Sequence, residues 1–173
     1  AGGIYADGKR KQVTNFNAAA PAQNGTVARA DFDAFSPKFG VLFEPAADVQ
    51  IYANASRSVE FPGFNELAQI ASFVALDPQR AWTAEVGTRG KTGPVGWGLA
   101  YYRSDIKGEL LQFNVGPTIP ASTFNAGRTR HEGIEAALQI DVAGWLRLRQ
   151  VYTWSNFRFR DDADYGDNRL PVV

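Results

Sequence analysis

The lone histidine of the chain, His131, is followed by Glu132, which is how a helical zinc-protease motif opens, but that motif needs a second imidazole one turn later. No second histidine exists and the surrounding pattern is that of a strand, so metal hydrolysis is excluded, and a serine nucleophile lacks its base. Asp161 to Asp167 has the carboxylate density of a calcium loop, yet Asp167 stands where a loop beginning at Asp162 requires glycine; the segment reads as a solvated acidic loop. Gly93, Gly96 and Gly98 lack phosphate-loop spacing and fit a turn followed by close strand packing. The absence of cysteine removes disulfides and thiolate metal sites. The expectation is a protein that is not an enzyme and holds neither metal nor cofactor. What remains are polar groups at alternate positions, Glu85, Arg89, Glu135, Gln139, Arg147 and Arg149, with Lys38, Gln50 and Asn54. Charges of both signs interleaved in this way make a polar wall rather than a reaction centre.

Alternation is also what positions these residues. In Arg128-Thr-Arg-His-Glu-Gly-Ile-Glu-Ala-Ala-Leu-Gln139, continuing to Asp141, the residues Ile134, Ala136, Leu138 and Ile140 share one parity. His131, Glu135, Gln139 and Asp141 share the other, so a strand here is greasy on one face and wet on the other. The same texture marks six main strands near 36–44, 49–59, 79–90, 95–113, 128–141 and 146–159, the fourth with a bulge between Asp105 and Phe113. Residues 1–30 show little sustained alternation and read mostly as loop, with Asp7-Gly8 as a turn signal. Residues 60–77 and 114–127 read as long loops, the first with one helical turn. Tight turns join the other pairs, which makes the fold class all-β, an antiparallel up-and-down meander. A turn closing around Ala143 sets Gln139 opposite Arg147 and Ala137 opposite Arg149, with Glu135 diagonal to Arg149.

Two architectures present such strands: a transmembrane barrel and a soluble β-sandwich binding carbohydrate or protein. A barrel has short turns at one end and long loops at the other, as the spacing here does, and needs strands of about 9 to 11 residues. Trp82, Trp97, Tyr101 and Trp154 discriminate, since a barrel puts them outside near two levels and a sandwich buries them. No run approaches the ~18 apolar residues of a membrane helix, and a net charge of zero gives no reason to expect nucleic acid or acidic lipid as a partner.

Four segments carry a family resemblance: Phe35-Ser-Pro-Lys-Phe-Gly-Val-Leu-Phe-Glu-Pro45, Ile51-Tyr-Ala-Asn-Ala-Ser-Arg-Ser-Val-Glu-Phe-Pro62, Asp77-Pro-Gln-Arg-Ala-Trp-Thr-Ala-Glu-Val-Gly-Thr-Arg89, and residues 128–136. In this order they resemble the later barrel of TonB-dependent outer-membrane siderophore receptors, and Thr129-Arg-His131 before Gly133-Ile-Glu135 is most similar to the ferric citrate branch. The resemblance implies part of a transmembrane β-barrel in the bacterial outer membrane. It also implies uptake of a ferric siderophore, citrate-like or similar metal chelate, energised by the TonB complex. A plug and some twenty-two strands do not fit in 173 residues, so residues 1–173 are expected to be a barrel fragment without the plug and energy-coupling segment. The absence of Met and the final Arg169-Leu-Pro-Val-Val173 suit an excised piece.

Within that frame the wall residues Glu85, Arg89, Glu135, Gln139, Arg147 and Arg149 face the lumen and its plug. Arg57, Arg80, Arg103, Arg128 and Arg130 fall at loop-side strand ends, where guanidinium forks grip the carboxylates of an anionic chelate. The alternative for these five is an interfacial place facing outer-membrane lipid, including lipopolysaccharide. Phe61, Phe64, Phe73 and Trp154 line the mouth or form an aromatic girdle.

Overall fold

A computed structural model describes residues 1–15, 18, 21–69, 72–113 and 122–171. Three strands come first: β1 (Gly2–Val13), β2 (Val27–Ala46) and β3 (Val49–Glu60). A one-turn helix α1 (Phe64–Leu67) and a small ribbon, β4 (Ala68–Gln69) with β5 (Ser72–Phe73), fill the next loop. Four long strands follow: β6 (Gln79–Thr92), β7 (Val95–Phe113), β8 (Ser122–Ala143) and β9 (Leu146–Phe159). The seven long strands form one antiparallel sheet in sequence order, β1-β2-β3-β6-β7-β8-β9. A sandwich requires two packed sheets. A single meander whose faces have opposite polarity is a piece of barrel wall instead.

Two-residue turns, Ala47-Asp48, Gly93-Pro94 and Gly144-Trp145, close three hairpins at one end. The connections at the other end run through residues 14–26, 61–78 and 114–121, reproducing the expected alternation of short turns and long loops. Asp48 and Gly93 take the positive φ that tight hairpin turns require. Pro45, which has no N–H to give the ladder, sits inside the register shift between Phe43 and Ala46.

Burial is inverted relative to a soluble protein. Partners across the ladder place Val41, Ala53, Val86, Tyr101, Ile134 and Trp154 in one row on one face, and Phe43, Ile51, Thr88, Leu99, Ala136 and Tyr152 in the next. This apolar face is the open one, with Val41 72% exposed. On the polar face Asn54, Glu85, Tyr102 and Gln139 are half-buried, while Arg89, Glu135, Arg147 and Arg149 are exposed. An exposed apolar face on this scale needs a lipid solvent. Trp82, Trp97, Tyr101 and Trp154 all point to it: Trp97 lies near the short turns, Trp82 and Trp154 lie toward the loops, and Tyr101 lies between. That is the arrangement of aromatic belts.

Close packing across the polar face uses glycine. Tyr52 lies directly over Gly87, and Tyr102 over Gly133, in register. A methyl on Gly133 would stand 2.6 Å from both the Trp154 carbonyl oxygen and the Tyr102 hydroxyl, whereas one on Gly98 would meet nothing within 4 Å.

The faces change beyond Gly108, whose φ is +68°. No register shift occurs there, but the left-handed residue turns Glu109 to the polar side, where its carboxylate meets Thr129 and His131. Above this point the concave side is apolar: Ala126, Phe159 and Leu170 are buried, with Leu111, Phe124 and Phe157 packed on them. Residues 168–170 fold back along β9, with the N–H of Leu170 donating to the Phe157 carbonyl at 2.9 Å.

Several sequence expectations are corrected. Residues 2–13 form the full strand β1, running through Asp7-Gly8 without turning, and β2 begins at Val27 rather than near 36. On the outward side of β1, Asp7, Lys9 and Lys11 stand exposed between Tyr5 and Val13, so the pair is held by its ladder and the apolar alternation is broken. Strand β8 begins at Ser122, inside the expected loop; residues 114–121 of that loop lie outside the described residues. The turn between β8 and β9 is Gly144-Trp145 with a bulge at Val142, which moves the register by two. Gln139 therefore faces Arg149 and Asp141 faces Arg147, while Glu135 faces Thr153 and not the neighbourhood of Arg149.

Candidate functional site

The half-buried polar face is where a barrel wall meets what passes through it, and its chemistry follows from strand parity. Glu85 and Arg89 line a concavity of about 410 Å³ with Gly40, Leu42, Tyr52 and Asn54. Arg89 Nε donates to Gln50 Oε1 at 2.8 Å, and its guanidinium lies 5.7 Å from the centre of the Tyr52 ring. Gln50 Nε2 in turn donates to Glu44 Oε1 at 2.7 Å. Toward the short turns Arg147 Nε donates to Asp141 Oδ1 at 2.5 Å, and Lys91 Nζ lies 3.4 Å from Asp141 Oδ2. Gln139 and Arg149 stand opposite each other, and Glu135 lies farther along the face, between Ala100 and Thr153. The six wall residues thus share one face but form separate groups: an Arg89–Gln50–Glu44 chain beside Glu85, an Arg147–Asp141–Lys91 cluster, the facing Gln139 and Arg149, and Glu135 farther along.

Sequence reasoning did not single out Tyr52, Tyr102, Lys91 or Asp141 for this wall, although each shares the parity of its polar members. Glu109 was beyond such reasoning, because the Gly108 kink that redirects it leaves no periodic signal. At the loop end of the same face, His131 Nε2 lies 3.2 Å from Glu109 Oε1 without hydrogen-bond alignment. Thr129 Oγ1 donates to the other oxygen of Glu109, and the imidazole stacks on Phe157 at 4.2 Å. Charge, hydroxyl and imidazole are gathered here, but the second histidine and the nucleophile geometry of an enzyme are not.

Arg57, Arg80, Arg103, Arg128 and Arg130 come together as expected from their height on the strands, but on the other face. Arg57 pairs across to Trp82, Asp105, Arg130 and Arg158 in one row; Arg80, Lys107 and Arg128 occupy the next. Both rows continue the apolar face, and all five arginines border one shallow depression of about 540 Å³. They are directed to the outside of the wall, not into the lumen. Asp105 holds two of them, with Arg130 Nε at 2.7 Å and Arg103 Nε at 2.9 Å. Of the four mouth aromatics, Phe61 stacks on Phe32 at 5.4 Å, Phe64 opens the short helix α1, and Trp154 is in the outer girdle. Phe73 belongs to the ribbon β4–β5.

The acidic segment is a self-contained turn. Asp162 Oδ1 accepts the N–H groups of Asp164 at 3.0 Å and Tyr165 at 3.1 Å, and Oδ2 accepts that of Gly127 at 3.3 Å. The Asp164 N–H first, with those of Tyr165 and Gly127, holds the Asp162 carboxyl below the usual aspartate range against the opposing effect of burial. A carboxylate engaged in this way is a loop staple.

Known proteins share this architecture. The profile described as TonB dependent receptor-like, beta-barrel, matches residues 1–173. The metal-pseudopaline receptor CntO of Pseudomonas aeruginosa is 26% identical over 133 residues, which are 76% of this chain and 18% of the receptor. The chain therefore spans about a fifth of the length of that curated relative. Among solved structures, the copper transporter OprC superposes with a TM-score of 0.67 at 13% identity, covering 86% of this chain and 23% of that one. The FrpB iron transporter from Neisseria meningitidis superposes with a TM-score of 0.62 at 20% identity, covering 91% and 23%. An open apolar face, a curled polar face, short turns opposite long loops and a match along the whole chain lead to one conclusion: the chain belongs to the TonB-dependent receptor β-barrel family of the bacterial outer membrane.

Proposed function

We propose that this chain is a section of barrel wall, residues 1–173, in a receptor that imports a ferric siderophore or similar metal chelate across the outer membrane with energy from TonB. One observation carries the reading: the seven-stranded meander offers an apolar face to lipid and a half-buried face of mixed charge to whatever fills the barrel. Relatives whose names specify metal-pseudopaline, copper and iron give the cargo class. The inward groups Glu85, Arg89, Glu135, Gln139, Arg147 and Arg149 contact the plug of the complete receptor, since interleaved charges of both signs suit a protein surface better than a single anionic cargo. Chelate contact belongs to the loop end of the inner face, near His131, Thr129 and Glu109, and to the loops above it. The role is transport, as in the receptor family to which the chain belongs.

The test is uptake of radiolabelled iron and copper chelates by cells carrying or lacking the full gene, in backgrounds with and without TonB. Uptake of at least one chelate that needs both gene and TonB is expected. Equal uptake of every chelate with and without the gene would overturn the proposal. Arg89→Ala and Glu85→Ala, measured in the same cells, should weaken plug retention while the barrel still inserts.

A further inference from the structure

Strands β7 and β8 pair residue by residue from Val95 to Phe113 except at one position, where Gly108 and Gly127 make no ladder pair. The gap coincides with the left-handed torsion of Gly108. Backbone groups released from a ladder need other partners, and here each finds a side chain. Asn125 Nδ2 donates to the Gly108 carbonyl at 2.8 Å, and the Gly127 N–H donates to Asp162 Oδ2 at 3.3 Å.

Asn125 also reaches across to the connection between β3 and β6. Its Oδ1 accepts the Asp77 N–H at 2.8 Å and its Nδ2 donates to the Asp77 carbonyl at 2.9 Å, so the carboxamide pairs with Asp77 as a neighbouring strand residue would. The same connection is fastened farther along β8, where Gln69 Nε2 donates to the Thr123 carbonyl at 2.8 Å, and Leu67 beside it is fully buried. At its end Gln79 Oε1 accepts the Leu110 N–H at 2.9 Å. Asn125 differs from these other fastenings in gripping the kink as well as the loop. Beyond the kink the next residue, Glu109, turns to Thr129 and His131. A side chain that holds Asp77 and Gly108 together thereby fixes the loop relative to the Glu109 carboxylate.

We propose that Asn125 is a positioning residue for capture of the chelate: it joins the connection 61–78 to the Gly108 kink, so that the loop and Glu109 form one preformed edge of the mouth. The inference rests on the transport reading, which places chelate contact near Glu109, Thr129 and His131. A preformed edge spares the incoming chelate the ordering of a loop, so the clamp acts on affinity and not on the later passage through the wall. Chemistry rather than size demands asparagine here. Aspartate has the same shape, but it lacks the donors and would set a carboxylate oxygen against the Asp77 and Gly108 carbonyls.

The complete receptor is tested in cells, with heat-modifiable electrophoretic mobility as the check of folding. Chymotrypsin, for which the loop offers Phe64, Phe73 and Leu76, reads the clamp without any chelate. Asn125→Ala should be nicked within 61–78 at least about tenfold faster than wild type, from the loss of three hydrogen bonds, and Asn125→Asp at least as fast as Asn125→Ala. Gln112→Ala, an exposed amide on the same hairpin, should match wild type. Uptake of radiolabelled ferric citrate and of a ferric hydroxamate is then followed against concentration. For whichever chelate the wild type imports, Asn125→Ala should raise the half-saturating concentration at least about tenfold and leave the maximal rate unchanged. Glu109→Gln added to Asn125→Ala should weaken capture by less than the product of the two single effects, because the first change has already displaced the carboxylate. Should Asn125→Ala fail to insert, Asn125→Gln, which carries the same amide on a longer arm, is read in its place with the same expectations. Wild-type nicking in Asn125→Asp, a fall in maximal rate at unchanged half-saturation, or effects of Asn125→Ala and Glu109→Gln that simply multiply would overturn the proposal. Absence of uptake of either chelate in the wild type would sink the transport reading instead, and the clamp would then stand or fall on the nicking rates.

Discussion

Gly133→Ala tests the close packing of the polar face. The added methyl meets the Trp154 carbonyl oxygen and the Tyr102 hydroxyl at 2.6 Å, well inside contact distance. The ring can swing away, but the carbonyl belongs to the β8–β9 ladder and cannot move without disturbing it. Overpacking of this kind costs about 1–3 kcal/mol. Replacing glycine by alanine in a strand also stabilises by about 0.5–1 kcal/mol through chain entropy. Gly98→Ala on the same face gains that entropy and meets nothing within 4 Å. The entropy contribution cancels between the two variants, so Gly133→Ala should be less stable than Gly98→Ala by the overpacking cost alone, about 1–3 kcal/mol. The assay is urea unfolding of the complete receptor in thin-bilayer vesicles, followed by tryptophan fluorescence. Adding Tyr102→Ser to Gly133→Ala divides the cost: recovery assigns it to the ring, and its persistence assigns it to the carbonyl. Coincident unfolding curves for Gly133→Ala and Gly98→Ala would refute the reasoning.

Three further outcomes are expected. Gly108→Ala, forced into a left-handed conformation, should cost about 1–2 kcal/mol, read as faster proteolysis above the membrane. A depressed aspartate pKa contributes stability that is present above the unfolded value and lost as pH falls through the folded one; protection of the Asp164 and Tyr165 amides, relative to their intrinsic exchange rates, should therefore fall on acidification, and Asp162→Asn should abolish that dependence. Brominated acyl chains should quench Trp97 and Trp154, which face lipid, in single-tryptophan variants of the reconstituted receptor; unquenched emission from both would contradict the assignment of faces.

Six of the seven long strands were legible because lipid imposes alternation: Ile134, Ala136 and Leu138 must all point outward, and a slip of one residue would reverse them. Strand β1 was illegible because it stands clear of that solvent, so both its parities are free to be polar. The register of the last hairpin was hidden by the bulge at Val142, since bulges follow from turn geometry rather than hydrophobic period. For the arginines, parity separates the two places left open by their height on the strands and favours the lipid-facing one: Arg57 has the parity of Ile51, Arg80 that of Trp82, and Arg103 that of Tyr101. Glu109 depends on one glycine torsion, which periodicity does not encode.

The reversal at Gly108 divides these strands between two solvents. Below it the wall is held by contact with hydrocarbon, and its stability follows bilayer thickness and composition. Above it Ala126, Phe159 and Leu170 form an inward core of the kind that folds in water, with residues 168–170 closed over it. The upper collar can therefore drift in sequence and loop length under the rules of a soluble protein, while the girdle beneath it stays bound to the membrane that surrounds it. One backbone torsion marks where a change of lipid stops being felt.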